Sequence, residues 1–380
     1  MKIFVTGTRG IPGIQGGVET HCQELYPRLV KMGHEVVIAR RKAYVDDHCQ
    51  SNTYKGVRLV DVPTVKSNAI EAFVHTFLAV LKARTMNPDL VHIHAIGPSI
   101  MAPLARLLGL KVVVTNHGPD YDRQKWGRFA KRVLKTGENL GTRYSNQVIA
   151  ISEPIRTTLK EDYKRQDVHL VFNGVNTPIK HPRTDYLESL GIQPGNYLFA
   201  AGRFVPEKGF IDLIKAWDQL PEPKPQLVIA GDSDHETCYS KGIKKHAKKY
   251  GAILTGFVKG GKLNQLFSHA RLFVMPSYHE GLPIALLEAL SYGLDVVVSN
   301  IPANLEVALD PACFFETGNR QALTASIQKR LTLNQQPDYE QLLKKYNWDT
   351  IALQTEAVYK RCMKNPLSKA IKPDPVRVTH

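Results

Sequence analysis

Runs of β-branched and other apolar residues recur along the whole chain, separated by stretches of mixed polarity. In the first half they are MKIFVTG, HEVVIAR, GVRLVDV, DLVHIHA, KVVVTN, NQVIAIS and DVHLVF. In the second they are NYLFAAG, QLVIAG, AILTGF, RLFVMP and DVVVSN. Most are nearly continuous in apolar character, as expected of strands covered on both faces. The intervening segments, VETHCQELYPRLVKMG for example, carry helical periodicity. Strands alternating with helices at this spacing predict α/β architecture with parallel, doubly wound sheets. The Pro-, Gly- and charge-rich NTPIKHPRTDYLESLGIQPG, residues 176–195, breaks the pattern. We therefore expect two Rossmann-like domains facing across a cleft. The first covers 1–180, with a linker over 181–195 and the second domain over 196–348. A helix over 349–364 is expected to pack back toward the first domain, and 365–380 forms a basic tail.

Length supports the division, since 380 residues exceed one ordinary core. No apolar run reaches the roughly 18–20 residues that span a bilayer. MKIFVTGTRG runs straight into glycines and reads as a first strand, not a signal peptide. Cys22, Cys49, Cys238, Cys313 and Cys362 lie far apart without a CxxC, which argues against zinc or disulfide frameworks and for a reducing, cytoplasmic setting. The charge changes the picture more. Fifty Lys and Arg against thirty-five Asp and Glu give +15. Such a surface favours nucleic acid, acidic lipid or phosphorylated small molecules, unless the excess lysine is simply solvated.

Ligands of open α/β sheets bind beyond the carboxyl ends of the strands, and the informative residues follow strands. GTRGIPGIQGGVE, residues 7–19, holds five glycines ahead of a helix beginning near Val18. Glycine lets backbone approach a phosphate closely, and the helix adds free N–H groups. The spacing is neither GxGxxG nor GxxxxGK[ST], which weakens dinucleotide and P-loop readings. AGRFVPEKGF places Arg203 and Lys208 after a strand, with Lys208 and Gly209 expected to open the next helix. Two cations beside a helix amino end suit a diphosphate. In SYHEGLPIALLEALSYG, residues 277–293, a helix is expected to open at Pro283 and close at Gly293. N–H groups around Gly281 and Leu282 could meet the same diphosphate, Glu288 a pair of ribose-like hydroxyls, and Glu280 a second polyol.

Together these segments, with DLVHIHA, TNHG, IAIS, NGVN and TGFV, resemble the retaining GT-B glycosyltransferases of family four (group 1), over nearly the whole chain. The variant GIPGIQGGVETH with NHGPDYDRQKWGRFAKRVLKTGE is similar to the bacterial subgroup that builds surface polysaccharides. The resemblance implies that Arg203 and Lys208 bind the diphosphate of a UDP-, GDP- or dTDP-sugar, Glu288 the ribose and Glu280 the transferred sugar. It implies base contacts from the backbone of Phe257 and Val258, and phosphate contacts from Gly281, Leu282, Gly16 and Gly17. His117 would sit by the reacting sugar, so His117 and Glu280 are the catalytic candidates. No cofactor and no metal are expected, DSD (232–234) not being a metal position in the family. His92 and His94 alternate along a strand, one expected to face the core, and neither is given a catalytic role.

DRQKWGRFAKRVLKTGE, residues 122–138, sets Trp126, Phe129, Ala130, Val133 and Leu134 among Arg123, Lys125, Arg128, Lys131, Arg132 and Lys135 at helical spacing. Such a helix packs on its own domain or lies on an anionic leaflet. The second option would serve a lipid-linked oligosaccharide acceptor carried on polyprenyl diphosphate, and places the enzyme peripherally on the cytoplasmic face of the inner membrane. Nucleic acid is not expected as a partner, for want of RNP-like runs or a recognition helix. A GT-B epimerase is the alternative within the fold, and the E-x7-E arrangement with EKG argues against it.

Overall fold

The computed structural model describes residues 1–44, 51–64, 71–119, 121, 127–233, 236–333 and 337–364. The basic tail and Arg123, Lys125 and Trp126 lie outside the described residues. The first sheet contains β1 (Lys2–Thr6), β2 (Glu35–Arg41), β3 (Thr53–Tyr54), β4 (Val57–Val62), β5 (Leu90–His94), β6 (Val112–Asn116), β7 (Gln147–Ala150) and β8 (Val168–Leu170). The second contains β9 (Tyr197–Ala201), β10 (Gln226–Ala230), β11 (Ile253–Gly256), β12 (Leu272–Met275), β13 (Asp295–Ser299) and β14 (Phe314–Phe315). Their orders are β3-β4-β2-β1-β5-β6-β7-β8 and β11-β10-β9-β12-β13-β14. Every pairing is parallel except β3 with β4. The chain is thus two doubly wound sheets, as the alternation predicts. β3 and β14 were not legible, because two residues carry no periodicity.

Helices cover the sheets: α1 (Gly17–Lys31), α2 (Glu71–Met86), α3 (Ala102–Leu107), α4 (Arg128–Tyr144) and α5 (Glu153–Glu161) in the first half, then α6 (Asp185–Ser189) within the expected linker. The second half contributes α7 (Phe210–Asp218), α8 (Cys238–Tyr250), α9 (Gly261–Ser268), α10 (Ile284–Ser291), α11 (Pro302–Leu305), α12 (Arg320–Thr332), α13 (Glu340–Leu343) and α14 (Trp348–Lys364). Strand residues such as Phe4, Val91, Val113, Phe199 and Val297 are fully buried, each such side chain contributing roughly 1.5–3 kcal/mol over an exposed one. Trp348, Ile351, Val358 and Tyr359 of α14 join the core formed by Leu25, Tyr26 and Leu29 of α1. Asp349 accepts from Arg28 Nε at 2.9 Å, and Glu356 lies 3.1 Å from His34. The last helix therefore packs on the first, although more than three hundred residues separate Arg28 from Asp349.

Candidate active site

The strand order of the first sheet reverses between β1 and β5, and that of the second between β9 and β12. Crevices open at such reversals, beyond the carboxyl ends of the strands. The loops that leave β1, β6, β9 and β12 carry most of the candidate residues.

After β1, Glu19 folds the glycine loop back by accepting from the Arg9 backbone N–H at 3.0 Å and from Thr8 Oγ1 at 3.3 Å. Gly16 caps α1 with φ 151°, and a Cβ there would lie 2.0 Å from Glu19 Oε2. Gly17 is the first helical residue, and a Cβ on it would meet nothing within 4 Å. The amino end of α1 is therefore backbone presented to open space.

After β6, Asn116 donates to buried Glu138 of α4 at 2.7 Å while its Oδ1 accepts from the Gly118 N–H at 2.9 Å. This pins the turn that holds His117. Across the cleft, a Cβ at position 281 would fall 2.1 Å from the His117 carbonyl oxygen. Only glycine lets the two domains approach this closely. His117 and Gly281, from opposite halves of the chain, are thus brought together.

Lys208 does not open a helix, contrary to the expected pattern. It ends a 3-10 turn, Pro206–Lys208, and α7 starts after Gly209, whose φ is 66°. The Cβ of any other residue at 209 would sit 2.3 Å from the Pro276 carbonyl oxygen. The Tyr278 N–H donates to the Glu207 carbonyl at 2.7 Å. These contacts clasp the two loops so that Lys208 Nζ lies 2.6 Å from Glu280 Oε1, which also accepts from Ser277 Oγ at 2.7 Å. Burial pushes the Glu280 carboxyl up, but the Lys208 charge and these hydrogen bonds outweigh it and hold the pKa below the ordinary value. The Arg203 segment is anchored beside this clasp, with the Phe204 N–H donating to the Asp232 carbonyl at 3.0 Å.

The last helix of the E-x7-E segment runs from Ile284 to Ser291, shorter at both ends than expected, with Pro283 as its cap. Leu282 is buried at its approach. Glu288 lines a cleft of about 180 Å³ with Thr20, Glu24, Asn264 and Tyr292, formed by both domains. Burial, and then the Glu24 carboxylate, raise its pKa from 4.5 to about 7. Phe257 and Val258 follow β11. Phe257 is largely exposed, while Val258 packs on the second domain's core.

His92 and His94 both turn to the same buried side, correcting the expectation that they would divide between core and surface. Residues i and i+2 of a strand share a face. His94 Nδ1 lies 2.9 Å from His117 Nε2, and Tyr26 of α1 bonds to both His92 and His94. Burial lowers the His92 pKa to about 3 and that of His21 to about 4, and holds His94 and His117 well below the usual range. His21, His94 and His117 place ring nitrogens within 4.8 Å of one another. Sequence reasoning missed His21, Tyr26 and Glu138 and gave His94 no role, because the contacts that join them to His117 are tertiary.

On the first domain, the carboxyl half of α4 is buried at Gly137, Glu138, Gly141 and Thr142. Its amino half is not: Phe129 is 81% exposed and Val133 37%. Arg128, Lys131, Arg132 and Lys135 border, with Tyr163, a groove of about 650 Å³. Among the described residues, no helix is long and apolar enough to cross a membrane.

Residues 15–178 match the family model described as Glycosyltransferase Family 4, and residues 182–347 match Glycosyl transferases group 1. An uncharacterized glycosyltransferase, MJ1607 of Methanocaldococcus jannaschii, is 25% identical over 96% of this chain and 99% of its own length. Sucrose-phosphate synthase from Thermosynechococcus elongatus superposes with a TM-score of 0.77 at 20% identity, over 95% of this chain and 98% of that one. Anabaena Alr3699/HepE in complex with UDP-glucose gives 0.76 at 17%, over 94% and 99%. These solved structures share the GT-B fold of this chain.

Proposed function

The chain belongs to the group 1 glycosyltransferases, with a family 4 domain followed by a group 1 domain, and from that premise we propose a retaining, metal-independent enzyme of surface-polysaccharide synthesis. It moves a hexosyl unit from a UDP-, GDP- or dTDP-sugar to an oligosaccharide linked to polyprenyl diphosphate, at the cytoplasmic face of the membrane. The observation that carries the reading is the clasp that sets Lys208 against Glu280 at 2.6 Å, beside the His117–Gly281 contact between domains.

In this mechanism Lys208 and Arg203 hold the donor diphosphate, helped by N–H groups of Gly281 and Leu282 and by the amino end of α1 at Gly16 and Gly17. Breaking the bond from the anomeric carbon to the diphosphate oxygen leaves charge on that oxygen, and fixed cations and N–H groups stabilise it without reorganising. The acceptor hydroxyl bonds to the anomeric carbon on the face the diphosphate leaves, and its proton passes to a departing phosphate oxygen. Glu280 orients the transferred sugar, Glu288 accepts from the ribose hydroxyls, and the backbone at Phe257 and Val258 meets the base. HepE, whose fold this chain shares, holds UDP-glucose in its solved complex, which supports a donor of that class.

The acceptor assignment draws on α4. Four cations beside an exposed Phe129 and Val133 suit an anionic leaflet, each basic residue contributing about 1 kcal/mol near such a surface. The test is turnover with a panel of nucleotide sugars, using lipid-linked and free saccharide acceptors, and the anomeric configuration of the product. Retention of configuration with lipid-linked acceptor only is expected. Inversion, or equal use of a free saccharide, overturns the reading.

A further inference from the structure

A chain of buried hydrogen bonds runs inward from His117. Its Nε2 lies 2.9 Å from His94 Nδ1, and His94 Nε2 is within reach of the Tyr26 hydroxyl. That hydroxyl lies 2.9 Å from His92 Nδ1, which is also 2.7 Å from the Tyr359 hydroxyl, while His92 Nε2 lies 2.7 Å from Thr115 Oγ1. All five inner side chains are 0–1% exposed, so no water competes for these contacts. Burial keeps the rings neutral, and a neutral imidazole has one donor and one acceptor nitrogen.

The direction of the protons follows. His92 Nδ1 faces two hydroxyls. An arrangement that satisfies all of these contacts puts the His92 proton on Nδ1, shared between the two hydroxyl oxygens, and lets Nε2 accept from Thr115 Oγ1. The Tyr26 hydroxyl, closer to His94 Nε2 than to His92, donates to it. His94 is left with its proton on Nδ1, which it donates to His117 Nε2.

We infer that Thr115, His92, Tyr26 and His94 are positioning residues that hold the proton of His117 on Nδ1, so that His117 meets the reacting sugar as a hydrogen-bond donor and not as a base. With Nε2 occupied and Nδ1 protonated, His117 has no lone pair for an acceptor proton. This leaves the departing phosphate as the proton's destination. The consequence for turnover rests on His117 lying at the donor sugar; the proton's location does not.

The experiment is nitrogen NMR of the full chain labelled with 15N-histidine, with His117 assigned through His117→Gln. Wild type should show a bare Nε2 and a protonated Nδ1 at His117. Tyr26→Phe should give His117 as two tautomers, with kcat reduced and the donor KM retained. A protonated Nε2 in wild type, or a single unchanged tautomer in Tyr26→Phe, overturns the inference. So does stoichiometric zinc binding that abolishes the His94 N–H signal. The wild-type spectrum decides should Tyr26→Phe fail to fold. A tautomer shift with unaltered kcat would instead refute the placement of His117 at the sugar, leaving the proton relay standing.

Discussion

Lys208 and Glu280, 72 positions apart in the chain, form an ion pair of 2.6 Å with side chains only 20% and 12% exposed. The proposed phosphate ligand and the proposed sugar ligand are therefore each other's partner when no donor is bound. A diphosphate that draws Lys208 toward itself frees a Glu280 oxygen for sugar hydroxyls, which couples recognition of the two halves of the donor.

Removing one partner strands the other. Lys208→Ala should destabilise the protein by roughly 3 kcal/mol, because an unpaired buried carboxylate remains, and turnover should fall. The double variant Lys208→Met with Glu280→Gln should recover most of the stability and none of the turnover. Urea denaturation and initial rates check both outcomes.

Glu288 makes stability depend on pH. Its folded-state pKa of about 7 stands above its ordinary 4.5, so the folded protein holds more protons than the unfolded chain between those values. Its contribution is fully present below about pH 4.5 and is lost as pH rises through 7. Glu288→Gln should thus stabilise the unliganded protein at pH 8, by at most about 3 kcal/mol, with the gain vanishing near pH 4.5. The same variant should weaken donor binding. Calorimetry of nucleotide binding at pH 6.5 in buffers of differing ionisation enthalpy should show proton release in wild type and none in Glu288→Gln.

Gly281→Ala introduces a methyl group 2.1 Å from the His117 carbonyl oxygen. Two backbones must separate, so the cleft should widen. Small-angle scattering should report a larger radius of gyration, and turnover should fall by about a hundredfold, the scale of a 1 Å misplacement.

Charge on α4 should govern membrane attachment. Replacing Arg128, Lys131, Arg132 and Lys135 with Glu should abolish sedimentation with anionic vesicles at low salt, while leaving turnover on a detergent-solubilised acceptor intact. Wild-type binding should decline as salt screens the surface. Phe129→Ser should weaken binding without changing its salt dependence, since it removes apolar contact only.

The long strands were readable because most are nearly continuous apolar runs, and burial on both sheet faces demands that composition. The sequence singled out Arg203, Lys208 and Glu280 by their positions after strands, and Glu288 by its place one turn into the helix that follows. The helix start expected at Lys208 falls two residues later, at Phe210, since a short 3-10 segment and an α-helix start share the same Pro-x-x-Gly signature. His92 and His94 were read as dividing between two faces, whereas the two-residue repeat of a strand puts both on one.

The sequence alone determined two doubly wound domains and their order, because periodicity is a local property of the backbone, and it singled out the loops after β1, β9 and β12 for the proposed donor chemistry. Tertiary structure decided that Lys208 pairs with Glu280, that Glu288 faces Glu24, that Gly281 abuts His117, and that Tyr26 and Tyr359 reach His92. Those relationships join elements distant along the chain, and they arise from burial away from water, which no local pattern encodes.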